Sequence, residues 1–142
     1  MKWTFLVTAV VAICLSVVDG FALDPGSPVL VTPVTKTTVT ADGKPIVLPQ
    51  KDAQVVVSIY DIAAGASLPM HKHPYPRYAY VLAGTLQVTK ADTGETFTYK
   101  PGDFIVEVID EWHQGANIGA DPVKLLVIDQ VEDGAQNTIL RQ

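Results

Sequence analysis

The strongest constraint on this chain is its punctuation. Short segments rich in Val, Thr, Tyr and Ile, at 35–40, 46–48, 54–62, 78–82, 86–90, 96–99, 104–109 and 123–131, alternate with turn signals. These signals include Asp42-Gly43, Gly65, Ala83-Gly84, Asp92-Thr93-Gly94, Pro101-Gly102, Asn117-Ile118-Gly119 and Asp121-Pro122. β-Branched and aromatic residues suit a pleated, half-buried surface, whereas Gly, Asn, Asp and Pro supply the reversals between strands. No segment after residue 22 sustains a helical period of apolar residues. The pattern predicts an all-β sandwich or barrel, with the tail at 132–142 either a last strand or an arm.

The first 22 residues follow a different logic. Lys2 precedes an apolar run at 5–18, and the small residues Gly20 and Ala22 precede Asp24-Pro25. This is the layout of a secretory signal peptide cleaved after Ala22, with cleavage after Gly20 as the alternative. The run is shorter than the roughly 20 residues that span a bilayer. The expectation is an exported protein, periplasmic or secreted, with one domain over 23–142 and no membrane association after cleavage. Cys14, the one cysteine, leaves with the signal. The mature chain then has no disulfide, thiolate ligand or cysteine nucleophile, so metal chemistry falls to His, carboxylates and water.

Ten Lys and Arg against fifteen Asp and Glu give a net charge of −5. With no basic stripe for phosphates, nucleic acid is not an expected partner. Apolar residues at 48% and charged residues at 18% are the balance of a chain that folds around an ordinary core.

Chemistry concentrates in the three histidines, His71, His73 and His113. The i, i+2 spacing of the first two puts both imidazoles on one face of an extended strand. A sheet closed on itself can bring His113, several strand–turn units later, opposite that pair.

Gly65, five residues, His71-Lys72-His73 and then Tyr80-Val81-Leu82-Ala83-Gly84 closely resemble the first motif of the cupin superfamily. The second motif is recognisable in Gly102-Asp103, His113 and Asn117, with Val108 and Asp110 in its usual proline and inner-glycine slots. Together the motifs cover 65–117. The resemblance implies a double-stranded β-helix, or jelly-roll barrel, whose mouth holds metal and substrate, with His71, His73 and His113 as metal ligands. It also implies that Gly65, Gly84 and Gly102 are turn residues and that Tyr80, Val81 and Leu82 build the wall; strand alternation then points Lys72 and Tyr80 away from the cavity. A homodimer is expected, with the Thr-rich N-terminal strand and the tail after Glu132 as the segments that could exchange.

The departure from the family pattern is Arg77, which stands where metal-binding cupins usually carry glutamate. A cation about 5 Å from a divalent ion costs on the order of 6 kcal/mol at an effective dielectric of about 20. Arg77 can swing to solvent, can be neutralised by Glu107, Asp110, Glu111 or an anionic substrate, or can leave the cavity metal-free and ligand-binding. Tyr78 would take the fourth slot if the spacer has four residues, and is otherwise a wall residue or hydrogen-bond donor behind the ligands. Glu107 lies in an apolar run, Phe104-Ile105-Val106 before and Val108-Ile109 after, so its carboxylate needs a partner, for which Arg77 is the named candidate. Trp112, beside His113, either shields the site or closes the barrel end.

Two functions follow from this reading. One is a mononuclear iron, manganese, nickel or zinc enzyme of dioxygenase or isomerase type acting on a small, anionic molecule. The alternative is a non-catalytic cupin that binds a small ligand or metal, with Arg77 in place of the glutamate.

Overall fold

The last long strand organises the molecule because its inward residues alternate without interruption. Val123, Leu125, Val127, Asp129 and Val131 are all buried, while the residues between them are exposed or half-buried. This is the period-two pattern of a strand with one face on a core. The computed structural model describes residues 28–142; residues 1–22, expected from the sequence to be a signal peptide, lie outside the described residues. Val34–Gln142 forms one compact unit; of the other, Met1–Pro33, the described residues 28–33 are irregular.

Nine strands are present among the described residues: β1 (Ala53–Ile62), β2 (His71–Lys72), β3 (Arg77–Ala83), β4 (Leu86–Lys90), β5 (Thr96–Tyr99), β6 (Phe104–Val106), β7 (His113–Asn117), β8 (Val123–Glu132) and β9 (Ile139–Leu140). They form two antiparallel sheets, ordered β1-β8-β3-β6 and β5-β4-β7-β2-β9. The core between them consists of Ile62, Ala79, Val81, Leu86, Val88, Ile105, Val123, Leu125 and Val127. This is the all-β, double-stranded β-helix architecture expected from the sequence.

Strands β4 and β5 have the expected bounds, and β1, β3 and β8 differ from expectation by a residue or so. Four segments depart from it. The Thr-rich 35–40 and the stretch 46–48 form no strand; an isolated bridge, Val39 to Pro45, and bonds from Thr40 N–H to the Lys44 carbonyl and from Ile46 N–H to the Thr38 carbonyl fold them back on each other instead of adding them to a sheet. Strand β6 stops at Val106, so Glu107 lies just beyond it. Strand β7, with Gly115, Ala116 and Asn117 in its sequence, was hidden by its low propensity and forms because β4 and β2 flank it on both sides. The tail pairs within its own chain, with Leu140 opposite His71 and Ile139 opposite Lys72.

Two positions show how tightly the turns are specified. Gly84 has a φ of +78°, and a Cβ there would lie 2.6 Å from the Pro122 carbonyl oxygen and 2.7 Å from the Val123 Cα. Asp110, in the slot where the second motif usually carries glycine, keeps the left-handed backbone with a φ of +56°; Asp tolerates this region better than most residues. We expect Gly84→Ala to lower unfolding free energy by about 2–4 kcal/mol, from left-handed strain plus the clash. Gly94→Ala, also at positive φ but with open space around it, should cost only about 1–2 kcal/mol. Urea denaturation of the two variants checks this, and equal losses would remove the close approach as the cause.

Candidate functional site

Strand register brings the histidines together. Strand β2 pairs with β7 so that His71 and His113 are directly opposite, and directly opposite residues have their Cβ atoms about 4.5–5.5 Å apart. His73 follows two residues on, facing the same way. The three rings lie 4.5–4.9 Å apart between centroids, and all three side chains are buried. One ligand nitrogen from each falls within 4.8 Å of the others.

The backbone orients every ring. His71 Nδ1 lies 2.6 Å from the Pro69 carbonyl oxygen, His73 Nδ1 2.6 Å from that of Asn137, and His113 Nδ1 2.8 Å from that of Glu111. A carbonyl oxygen only accepts, so each Nδ1 carries the hydrogen and each neutral imidazole keeps its lone pair on Nε2. This second set of contacts is what metal-binding histidines use to fix tautomer and direction. His113 Nε2 is buried and has no hydrogen-bond partner, an arrangement that costs free energy unless something else occupies the lone pair. The donor set fits a divalent ion with imidazole preference.

Arg77 stays inside the barrel. It stands directly across from Asp129 on β8, and both side chains occupy inward positions. Its Nε donates to Asp129 Oδ1 at 2.7 Å and its Nη2 to Oδ2 at 2.9 Å, a two-pronged pair, with a further bond from Nη2 to Thr138 Oγ1 at 3.1 Å. The Tyr60 ring lies beneath the guanidinium, 5.7 Å from Cζ. The remaining nitrogen, Nη1, lies 3.4 Å from His73 Nε2. The neutralising partner is therefore Asp129 and none of Glu107, Asp110 or Glu111; Asp110 pairs with Lys72, and Glu111 with Lys44. Sequence reasoning missed Asp129, although its parity with Val123, Leu125 and Val127 marks it as inward-facing.

Asn137 ties the tail to this pair. Its Nδ2 donates to Asp129 Oδ1 at 2.5 Å, its Oδ1 accepts from the Tyr75 backbone N–H at 2.8 Å, and its carbonyl holds His73. No sequence motif pointed to it. Glu107 turns toward the histidines, with Oε2 3.4 Å from His113 Nε2, so its near neighbour is His113 where Arg77 was expected. Arg77 contributes only its charge.

Burial pushes His71 below its usual range and takes His73 down to about 4, with Arg77 adding to the effect. Burial also pulls on His113, but the Glu107 carboxylate outweighs it and the net shift is upward. Burial likewise opposes ionisation of Glu107, yet His113, His73 and Arg77 together hold its carboxyl well below the usual range.

The space left around these groups is small, about 20 Å3, and is lined by Tyr60, His71, Arg77, Glu107 and His113 against Leu125 and Val127. Tyr78 and Trp112 are not brought into it. Tyr78 leaves the other face of β3, bonds Gln130 at 3.0 Å and stacks beside Phe104 in a separate, more open hollow of about 510 Å3. That hollow is larger but carries only Lys36 as a charged group, so the chemistry lies with the histidines. Trp112 lies under two cations, Lys72 Nζ at 5.4 Å and Arg141 Cζ at 5.9 Å.

A two-sheet β-helix with a histidine triad inside one end defines the class of protein. The Cupin domain family model matches residues 58–129, and the chain belongs to the cupin family. A search of the curated proteins finds no match. Among solved structures, the chain is similar to a Lactobacillus farciminis oxalate decarboxylase in complex with formate (24% identity, TM-score 0.51, 61% of this chain and 26% of that one). It is also similar to a Bacillus subtilis oxalate decarboxylase with Mn(II) centres (26% identity, TM-score 0.52, 61% and 23%). A third is an uncharacterised Klebsiella pneumoniae protein with a double-stranded β-helix domain (22% identity, TM-score 0.51, 69% and 82%). The chain thus spans about a quarter of the length of the oxalate decarboxylases it matches.

Two outcomes are expected here. Asp129→Asn leaves a buried guanidinium unpaired and should cost about 3–5 kcal/mol, whereas Arg77→Met with Asp129→Leu should recover most of it. Chemical denaturation of both variants tests this, and a neutral Asp129→Asn would contradict it. Metal-free protein should also lose stability as pH falls from about 6.5 to about 4. Folded His71 and His73 have lowered pKa values, so the unfolded chain takes up more protons in that window and acidification favours it. His113, shifted upward, opposes them as one group against two. Thermal melts across this range should show the decline, and His73→Gln should flatten it.

Proposed function

We propose that this is an exported cupin whose His71, His73 and His113 hold one divalent ion, iron, manganese, nickel or zinc, and whose cavity takes a small anionic molecule bound jointly by that ion and Arg77. The observation that carries the reading is the buried, unpartnered His113 Nε2, facing two other imidazoles whose Nδ1 atoms are already engaged. A bound ion would supply Lewis-acid polarisation or an activated water at neutral pH. The chain's own residues do the rest. Arg77 turns one nitrogen, Nη1, toward the histidines while Asp129 holds the other two, so Nη1 can donate to a carboxylate oxygen without Arg77 leaving its place. Leu125 and Val127 line the cavity with apolar surface, which strengthens each of these contacts. The Mn(II) centres and the oxalate chemistry in the name of the Bacillus subtilis relative support a divalent metal and a small carboxylate. Reaction at such a centre would be of dioxygenase or isomerase type.

One observation favours a second reading, a non-catalytic binding protein. Arg77 Nη1 lies 3.4 Å from His73 Nε2, the same lone pair a metal would use. A guanidinium that keeps this lone pair leaves an anion site without metal.

The proposal extends to a homodimer through β1. This ten-residue strand is the edge of its sheet, and Val55, Val57 and Ile59 on it are each more than half exposed. A long apolar edge is a template for pairing with another chain.

One preparation tests these points: untagged protein, expressed from the full sequence with export intact and purified without chelator. We expect about one equivalent of iron, manganese, nickel or zinc, lost in a His71→Ala, His73→Ala variant. Formate, acetate or oxalate should bind, and Arg77→Met with Asp129→Leu should weaken that binding about 10-fold or more. An N-terminus at Leu23 by mass spectrometry and a dimer mass by light scattering are expected from the same sample. Protein that cannot be loaded with added divalent ions yet binds the anions would establish the second reading instead.

A further inference from the structure

Glu107 and His113 form a contact that ordinary hydrogen bonding does not explain. His113 Nδ1 donates to the Glu111 carbonyl, so Nε2 presents a lone pair. Facing it at 3.4 Å is Oε2 of Glu107, an oxygen whose ionised form is also only an acceptor. Two acceptors directed at each other repel unless a cation lies between or beside them. Nε2 makes no hydrogen bond of ordinary geometry, so a well-aligned proton does not hold the two groups together. Among the described residues, no side-chain or backbone donor makes a hydrogen bond to the Glu107 carboxylate. It lies between two buried apolar residues, Val106 and Val108.

The charges point the same way. Arg77 is neutralised by Asp129, and imidazoles bearing hydrogen on Nδ1 alone, the form in which Nε2 can bind a metal, are uncharged. Glu107 therefore leaves the cavity with a net charge of about −1, which favours a divalent cation and would be expensive to bury without one. Glu107 is anchored at its backbone, where its N–H donates to the Arg77 carbonyl at 3.0 Å. Its side-chain torsions remain to direct the carboxylate at the ion.

We propose that Glu107 is the fourth protein ligand of the ion held by His71, His73 and His113, delivered from the connection between β6 and β7. This inference rests on the metal reading above. It makes the site a three-histidine, one-carboxylate centre whose carboxylate comes from the segment just after β6, beside Arg77, with Arg77 Nη1 directed to the substrate anion.

The test compares wild type with Glu107→Gln, which keeps shape and removes charge, and with Glu111→Gln, which removes a charge near His113 whose side chain pairs with Lys44. Zn(II) affinity is read by chelator competition, and ligand field by the visible absorption of Co(II)-loaded protein. Glu107→Gln should lower Zn(II) affinity about 10- to 100-fold and alter the Co(II) spectrum, while Glu111→Gln should do neither. Circular dichroism of the metal-free variants reports folding; should Glu107→Gln fail to fold, Glu107→Asp replaces it and should show the same changes in smaller measure. Unchanged affinity and spectrum in a Glu107 variant would overturn the inference while the three-histidine reading stands. Equal losses in the Glu107 and Glu111 variants would reduce Glu107 to a distant charge and overturn it as well. A wild type that takes up neither ion would overturn both readings.

Discussion

The structure depends on one buried ion pair. A guanidinium on the inner face of a small barrel is tolerable only with a carboxylate directly across the strand boundary, and Asp129 supplies it with both oxygens. That pair ties β3 to β8 at the end of the core where the apolar residues give way to the histidines. Asn137 bonds Asp129, Thr138 bonds Arg77, and the Asn137 carbonyl then sets His73. Charge neutralisation, docking of the tail and orientation of a ligand are thus one arrangement seen from three sides.

Much of this was legible in the sequence. Strands with clear alternation, such as β4 and β8, announce themselves because each is paired on both sides or packed on one. The glycines and histidines at 65–117 identify the family, and their spacing brings His71, His73 and His113 together because the register of β2 and β7 fixes them. What stayed hidden was pairing at a distance. Nothing local to Asp129 says that it faces Arg77; only the parity of Val123, Leu125 and Val127, read against that of Arg77, Ala79 and Val81, contains that fact. Strand β7 was hidden for a related reason. Gly115 and Ala116 have little intrinsic preference for extended structure and acquire it from their neighbours. Conversely, the Thr-rich 35–40 has the preference but pairs only with the short stretch that follows it.

The substitution at Arg77 looks, in sequence, like the loss of a metal site. In three dimensions it is a redistribution of charge. The positive charge has its own counter-ion behind it, and the negative charge beside the histidines comes from Glu107, just past the end of β6 and bonded through its backbone to Arg77. A single replaced position therefore says little about a site whose electrostatics are shared among four strands and a tail.

The three imidazoles are oriented by the carbonyls of Pro69, Glu111 and Asn137, and every residue type carries a carbonyl. Side chains at those positions can drift through substitution without disturbing the tautomers, provided that the backbone keeps its path. The control over which nitrogen faces the cavity is therefore stored in main-chain geometry, where neither residue identity nor a motif records it. Two cupins with matching histidines and dissimilar residues around them can share the same ligand orientation, while a one-residue insertion beside a ligand would abolish it with every histidine still in the sequence.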